Sequence, residues 1–290
     1  LLNLIKTRKY WYILSLLVIV PGLISLCTRT LNFGIDFTGG SLIEVQFDHP
    51  VSVDEVGVVL AQQNLADKSQ VQTSTDNTVL IKTRALDQTE GANLVNALQQ
   101  KYGKLELLRN EKVDSVVSNE LMRNAALAVL IAFALMLVYI GIRFEFYFGL
   151  AAIIAIFHDI LVTVGLASIF WLDIDSASVA AILTIVAYSV HDTIVIFDRI
   201  RENMKGRKKG EPLDELIHRS IMQTLTRSVN TVMTVVFCLL ALIFFGGVTI
   251  RSFMIMLLIG VISGAYSSIF NASPLWFDFK RLKGDPAASR

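Results

Sequence analysis

Charge is scarce in this chain, and so are cysteine and proline. Only 18% of the 290 residues are charged, 53% are hydrophobic, and mean hydropathy is +0.57. Soluble domains carry nearer a quarter charged residues, so the composition argues against an ordinary soluble globule and favours a membrane protein. The two cysteines, Cys27 and Cys238, lie far apart in apolar runs and make no disulfide framework. Five prolines and scattered glycines leave no low-complexity linker. The formal net charge of +1 gives no sign of a nucleic-acid partner, because the charges are segregated by region. There is no Walker A lysine loop, nucleophile elbow or zinc-protease motif, and no His or Asp has metal-ligand spacing with enough partners. No ATP hydrolysis, enzymatic activity, metal or cofactor is therefore expected. The first residue is Leu1, which reads as a trimmed chain or the downstream half of something longer.

What is present is a set of six apolar runs, each long enough to cross a bilayer as a helix. They fall at 10–28, 124–142, 146–172, 176–198, 228–250 and 252–277, and the first, second, fifth and sixth contain no Asp, Glu, Lys or Arg. Lys6, Arg8 and Lys9 precede the first run, which is long for a signal peptide and reads as a retained anchor. Basic residues set the expected orientation. With 1–9 cytoplasmic, the 143–145 turn, a 199–226 loop and the 278–290 tail share that side. The loop holds Arg199, Arg201, Lys205, Arg207, Lys208, Lys209 and Arg219. Tyr10, Trp11, Tyr12, Tyr147, Trp171 and Trp276 sit near span ends and read as interfacial anchors.

The one sizeable polar region, 30–120, carries seven basic and thirteen acidic residues and is placed outside the cytoplasm. "SLIEVQF" (41–47) alternates Ile43, Val45 and Phe47 against Leu42, Glu44 and Gln46, which is strand periodicity. Ser52 with Glu55, and Asp87 with Glu90, open two helices as capping pairs, the first placing Val53, Val56, Val59 and Leu60 on one face. "SQVQTST" and "NTVLIKT" read as strands joined at Asp76-Asn77, and "KLELLRNEKV" (104–113) as a last strand. The order β-α-β-β-α-β predicts a small ferredoxin-like α+β domain attached to an α-helical polytopic membrane protein.

Ionisable residues inside spans mark candidate functional sites, because each costs about 2.5–3.5 kcal/mol to insert. Span three contains His158-Asp159, span four His191-Asp192, and Arg227 opens span five. Tyr188 and Ser189 precede Asp192 by four and three residues, so they share its face, and Arg227 is placed to pair with it. A carboxyl under both burial and a nearby guanidinium can exchange a proton, with the arginine as fixed counter-charge. The alternatives are a static ion pair at Asp192, a packing tie at His158-Asp159, a positive-inside anchor at Arg227 and a polar cavity at His191. Asp198-Arg199 reads as an interfacial charge pair.

Four stretches carry a family resemblance. "FGIDFTGGSLIEV" (33–45) closely resembles the opening motif of the SecD/SecF family, accessory proteins of bacterial Sec export. "AYSVHDTIVIFDRIREN" (187–203), "HRSIMQTLTRSVNT" (218–231) and "SSIFNASPLWFDFK" (267–280) resemble its SecF branch, since SecD typically reads Asp-Ala-Asn where this chain has His-Asp-Thr. The likeness covers the whole chain. It implies the membrane architecture of resistance-nodulation-division (RND) transporters and a bacterial cytoplasmic-membrane location with both termini inside. It implies pairing with SecD, association with the SecYEG channel, and use of the proton motive force on preproteins after SecA has acted. By motif match Asp192 is the intramembrane acid, Arg227 its paired arginine, and Asp36, Gly39 and Gly40 belong to the opening motif. The glycines also read as a tight turn out of the membrane. The coupling ion is H⁺ or Na⁺. A non-conducting assembly subunit and half of an RND small-molecule exporter are the alternatives.

Overall fold

The computed structural model describes residues 3–73, 76–207 and 210–283. Lys208, Lys209 and the strand end at Ser74-Thr75 lie outside them, as does the tail beyond 283. In chain order the elements are α1 (Arg8–Thr28), β1 (Asn32–Phe33), α2 (Ile35–Thr38), β2 (Gly40–Phe47), α3 (Val53–Gln62), β3 (Gln70–Thr73), β4 (Thr78–Thr83), α4 (Gln88–Tyr102) and β5 (Leu105–Val113). They continue with α5 (Ser115–Arg143), α6 (Phe146–Ile169), β6 (Asp173–Ile174), α7 (Ser176–Lys205), α8 (Leu213–Phe245), α9 (Val248–Ser267) and α10 (Ser273–Leu282). The chain divides into two units, one of residues 1–32, 128–173 and 177–290, the other of 33–127 and 174–176.

Long uncharged runs form helices because a bilayer leaves backbone groups no partner but each other. Six helices among the described residues have the length and apolarity to cross a membrane: Arg8–Thr28, Ser115–Arg143, Phe146–Ile169, Ser176–Lys205, Leu213–Phe245 and Thr249–Leu282. This is a multi-pass helical membrane protein. In the first unit α1 and α6 run parallel at a constant offset: Ser15 meets His158, Gly22 meets Gly165, and Ser25 meets Ser168 (Oγ···Oγ 2.8 Å). A Cβ on Gly22 would lie 2.8 Å from the Gly165 Cα, so small residues let the two backbones touch. Near its end the last span widens into a π turn at Ser268–Ala272, just before Pro274, which offers no N–H to the carbonyl one turn back. Arg8 Nε and Tyr12 Oη both donate to the Asp278 carboxylate, at 2.8 and 3.1 Å, tying the start of α1 to α10.

Two expectations change in this unit. Most of the 199–226 stretch is helix, since α7 continues to Lys205 and α8 begins at Leu213. The charges there hide an amphipathic repeat that buries Leu213, Leu216, Ile217 and Ile221. Trp276 is no interfacial anchor. It is fully buried and stacks on Phe148 at 4.3 Å between ring centroids, with Phe197 against the same ring at 4.8 Å.

In the second unit β2 is central to a four-stranded sheet of order β3-β4-β2-β5. It pairs antiparallel with β4 (Ile43↔Ile81, Val45↔Val79) and with β5, where the register shifts between Glu44 and Val45. Ile43, Val45 and Phe47 pack on Val56, Val59 and Leu60 of α3 and on Leu94 and Leu98 of α4. Both helices open with complete capping boxes, Ser52/Glu55 and Asp87/Glu90. Arg84 adds a second hold on Glu90 (2.6 Å); with the Asp87 N–H it pulls the Glu90 carboxyl down to about 2. Val53 departs from the expected apolar face and is exposed, because as the first residue of α3 it lies beyond the sheet's reach. Leu42 is also buried, with Ile35 and Leu80 on the other face of the sheet. The unit reaches beyond the expected 30–120 to Leu127 and takes in Ile174–Ser176.

Candidate functional site

The first unit contains two buried carboxyls with different surroundings. Asp159 lies on α6 about 20 Å along the helix from Phe146, at 1.5 Å per residue. Its Oδ1 accepts from Ser263 Oγ (2.7 Å) and meets His158 Nδ1 (3.0 Å); its Oδ2 accepts from Ser189 (2.6 Å) and Ser267 (2.7 Å). Three helices therefore converge on one carboxyl whose four lone-pair sites are all filled. Gly264 makes room: a Cβ there would lie 3.3 Å from Ser189 Cβ and 3.7 Å from Asp159 Oδ2.

Asp192 lies on α7, about 9 Å along the helix from Asp198. Its Oδ1 accepts from Ser228 Oγ of α8 at 2.6 Å, while Oδ2 is buried with no hydrogen-bond partner among the described residues. A cavity of about 30 Å³ borders it, lined by Tyr188, Ser189, His191, Asp192 and Arg227 among others. The residues expected around Asp192 are thus brought together, but not with the expected bonds. Ser189 shares the face of Asp192 yet gives its proton across the helix interface to Asp159. Arg227 makes no ion pair with Asp192 within 4 Å. One residue along α8 is a turn of about 100°, and it is Ser228 that points at the carboxyl. Asp198 pairs with Arg143 (3.1 Å) and Arg201 (3.4 Å), not with Arg199, which binds Glu202 and Gln223.

The opening-motif residues belong to the second unit. Asp36 Oδ2 accepts from the backbone N–H (2.9 Å) and Oγ (2.5 Å) of Ser176, and the Gly34 N–H donates to Ile174 O at 2.8 Å. Gly39 and Gly40 hold φ of 73° and 141°, and a Cβ on Gly40 would stand 2.5 Å from the Thr83 carbonyl oxygen. The glycines are required by this close approach at the start of β2.

Comparison with known proteins decides the family. The model of "Protein export membrane protein SecD/SecF, C-terminal" matches residues 93–282, and that of the "SecD/SecF GG Motif" matches residues 24–51. The chain belongs to the SecD/SecF family. It is 42% identical to the protein translocase subunit SecF of Sebaldella termitidis, over 98% of this chain and 94% of that one. It is 39% identical to the protein translocase subunit SecDF of Bacillus subtilis, covering 97% of this chain and 38% of that protein. The crystal structure of SecDF from Thermus thermophilus superposes with a TM-score of 0.89 at 33% identity, over 97% of this chain and 39% of that one. The chain thus spans nearly a whole SecF relative and about two fifths of the longer SecDF chains. Gly39, Gly40 and Asp36 fall inside the SecD/SecF GG match.

Sequence reasoning missed Ser228, Ser263, Ser267 and Ser15. The available signal was a polar stripe, Ser263, Ser267, Ser268 and Asn271, recurring at helical spacing in an otherwise uncharged span.

Proposed function

We propose that the chain is the SecF half of a SecD–SecF export motor in the bacterial cytoplasmic membrane. Six spans carry both termini on the cytoplasmic side, where basic residues gather. With SecD, it draws on the proton motive force to promote preprotein movement through SecYEG after the ATP-driven step of SecA; Na⁺ is the other ion a carboxylate would accept. The 30–120 region, a ferredoxin-like domain by its strand order, stands outside and meets the partner's outer domain.

The observation that carries this reading is the bare Oδ2 of Asp192 beside a cavity that Arg227 also lines. A buried carboxyl oxygen without a donor is where an arriving proton or cation gains most. Ser228 holds the other oxygen in place, and Arg227, which keeps its own proton, provides the counter-charge when Asp192 is ionised. Loading and unloading Asp192 then changes the attraction between α7 and α8, the element a motor needs. Asp159 is the deeper acid of the same site, linked to it through Ser189.

The test is export into inverted vesicles containing the SecD–SecF complex, with and without a proton gradient. Asp192→Asn and Arg227→Ala are expected to assemble normally and lose the gradient-dependent part. Full gradient response in both variants would refute the assignment.

A further inference from the structure

His158 does not line the Asp192 cavity, yet both its ring nitrogens are engaged. Nδ1 meets Asp159 Oδ1 at 3.0 Å and Nε2 meets Ser15 Oγ at 3.0 Å. Ser15 Oγ also accepts from Asn271 Nδ2 (3.0 Å) and lies 3.2 Å from Tyr266 Oη, which donates to the Trp11 carbonyl at 2.7 Å. Tyr266 further stacks on the imidazole, with centroids 5.8 Å apart. A continuous chain of polar groups therefore runs from Asp159 toward the end of the bundle where α1 begins.

Counting protons along the chain fixes its state. A carbonyl cannot donate, so the one proton of Tyr266 is committed to Trp11 O. The Ser15–Tyr266 bond must then use the proton of Ser15. Ser15 is left only to accept, so the proton between it and His158 sits on Nε2. With Nε2 protonated, the Nδ1–Oδ1 contact holds a further proton, on the ring as imidazolium or on the carboxyl as acid. The other three contacts of Asp159 are serine hydroxyls able to donate in both cases. The pair is thus net neutral, which a bilayer interior favours over a lone charge.

The geometry points to a proton wire: His158 and Asp159 share one mobile proton, and Ser15 and Tyr266 conduct it between that pair and the Trp11 end of α1. In the transfer Oδ1–H breaks and Nδ1–H forms; Nε2–H then breaks as its proton passes to Ser15 Oγ. Ser15 hands its own proton to Tyr266 Oη, and Tyr266 releases one to water at the helix end. Ser189, which lines the Asp192 cavity, passes its proton to Asp159 Oδ2 and takes another from that cavity, and rotation of the carboxyl and of the imidazole ring returns the protons to Oδ1 and Nε2. His158 suits the step because an imidazole takes a proton on one nitrogen while losing one from the other. The titratable groups facing His158 are Asp159 on its own helix and Tyr266 on α9. Beside His158 and Tyr266 lies a cavity of about 360 Å³, lined also by Ser15 and Ser263 and otherwise by aliphatic side chains such as Leu14, Val18, Val162 and Ile262.

This wire rests on the gradient-driven reading, and the test separates the two. In vesicles with the intact complex, Tyr266→Phe and His158→Gln are expected to cut gradient-driven export about tenfold or more. SecA-driven export without a gradient and co-purification with SecD stay at wild-type levels. Imidazole added to His158→Ala fits the 360 Å³ cavity and restores the response, whereas pyrrole, the same ring without an acceptor nitrogen, does not. If Tyr266→Phe and His158→Gln keep the wild-type gradient response within about twofold while Asp192→Asn loses it, the wire is refuted and the Asp192 site stands. Equal rescue by pyrrole also refutes it, since the ring then only fills space. Absence of any gradient response in the wild type overturns both readings.

Discussion

Replacing Gly260 by alanine tests whether the α7–α9 contact holds the acid site together. A methyl built there would lie 2.2, 2.3 and 2.7 Å from Cδ1, Cγ1 and Cγ2 of the buried Ile185. Carbon atoms pack at about 3.5–4.0 Å, so the shortfall is about 1 Å to every branch of one side chain, and a β-branched residue in a helix has one strongly preferred χ1 and does not swing aside freely. The helices must part, at about 1–3 kcal/mol for overpacking. The same separation stretches the Thr193–Ser268 bond (2.8 Å) and the bond from Ser268 Oγ to the Ser189 carbonyl (3.3 Å), which tie α7 to the last span. Ile185→Ala alone leaves a hole worth about 2–5 kcal/mol. In the double variant the new methyl enters that hole, so the two costs fall short of adding by about 1–3 kcal/mol. Thermal unfolding of the purified complex in nanodiscs, across the four members of this cycle, reads the coupling. A Gly260→Ala protein within about 0.5 kcal/mol of wild type, or strict additivity, would refute the packing argument.

Three further outcomes are expected. Gly40→Ala forces a side chain into a φ of 141° and against the Thr83 carbonyl oxygen, so it should destabilise the second unit by about 1–3 kcal/mol, measured by hydrogen exchange of β2 and β4 amides. Ser228→Ala leaves Asp192 without its one donor; export should lose its gradient dependence while the melting temperature moves little, and unchanged gradient dependence would count against the role of Ser228. Glu90 has its folded pKa pulled down to about 2, so its share of stability is complete above the ordinary carboxylate range and fades as pH falls toward 2. Protection of α4 amides should follow that course in the wild type and flatten in Glu90→Gln.

The parts legible in the sequence were those with local causes. The capping boxes at Ser52/Glu55 and Asp87/Glu90 depend on groups three residues apart, and the spans depend on length and absence of charge. The partners of the acids were less legible, because helical spacing says which residues share a face but not which helix that face meets. Ser189 and Asp192 are neighbours by spacing, yet α6 brings Asp159 to Ser189, and α8 brings Ser228 rather than Arg227 to Asp192. The serines of α9 escaped notice for a related reason. A hydroxyl can satisfy itself on its own helix, as Ser267 also does on the Gly264 carbonyl, so its presence in a span needs no partner. Only the packed structure shows two of these hydroxyls, with Ser189 of α7, spent on one carboxyl.

The central claim, that Asp192 changes protonation as the motor turns over, is open to direct measurement by infrared difference spectroscopy of the SecD–SecF complex in oriented vesicles while a proton gradient is imposed and collapsed. The account predicts a carboxylic-acid carbonyl band that appears and disappears with the gradient, is absent in Asp192→Asn, and shifts in Ser228→Ala as the hydrogen bond to Oδ1 is lost. A gradient-dependent band that persists unchanged in Asp192→Asn, or no such band in a complex that still exports in response to the gradient, would contradict it.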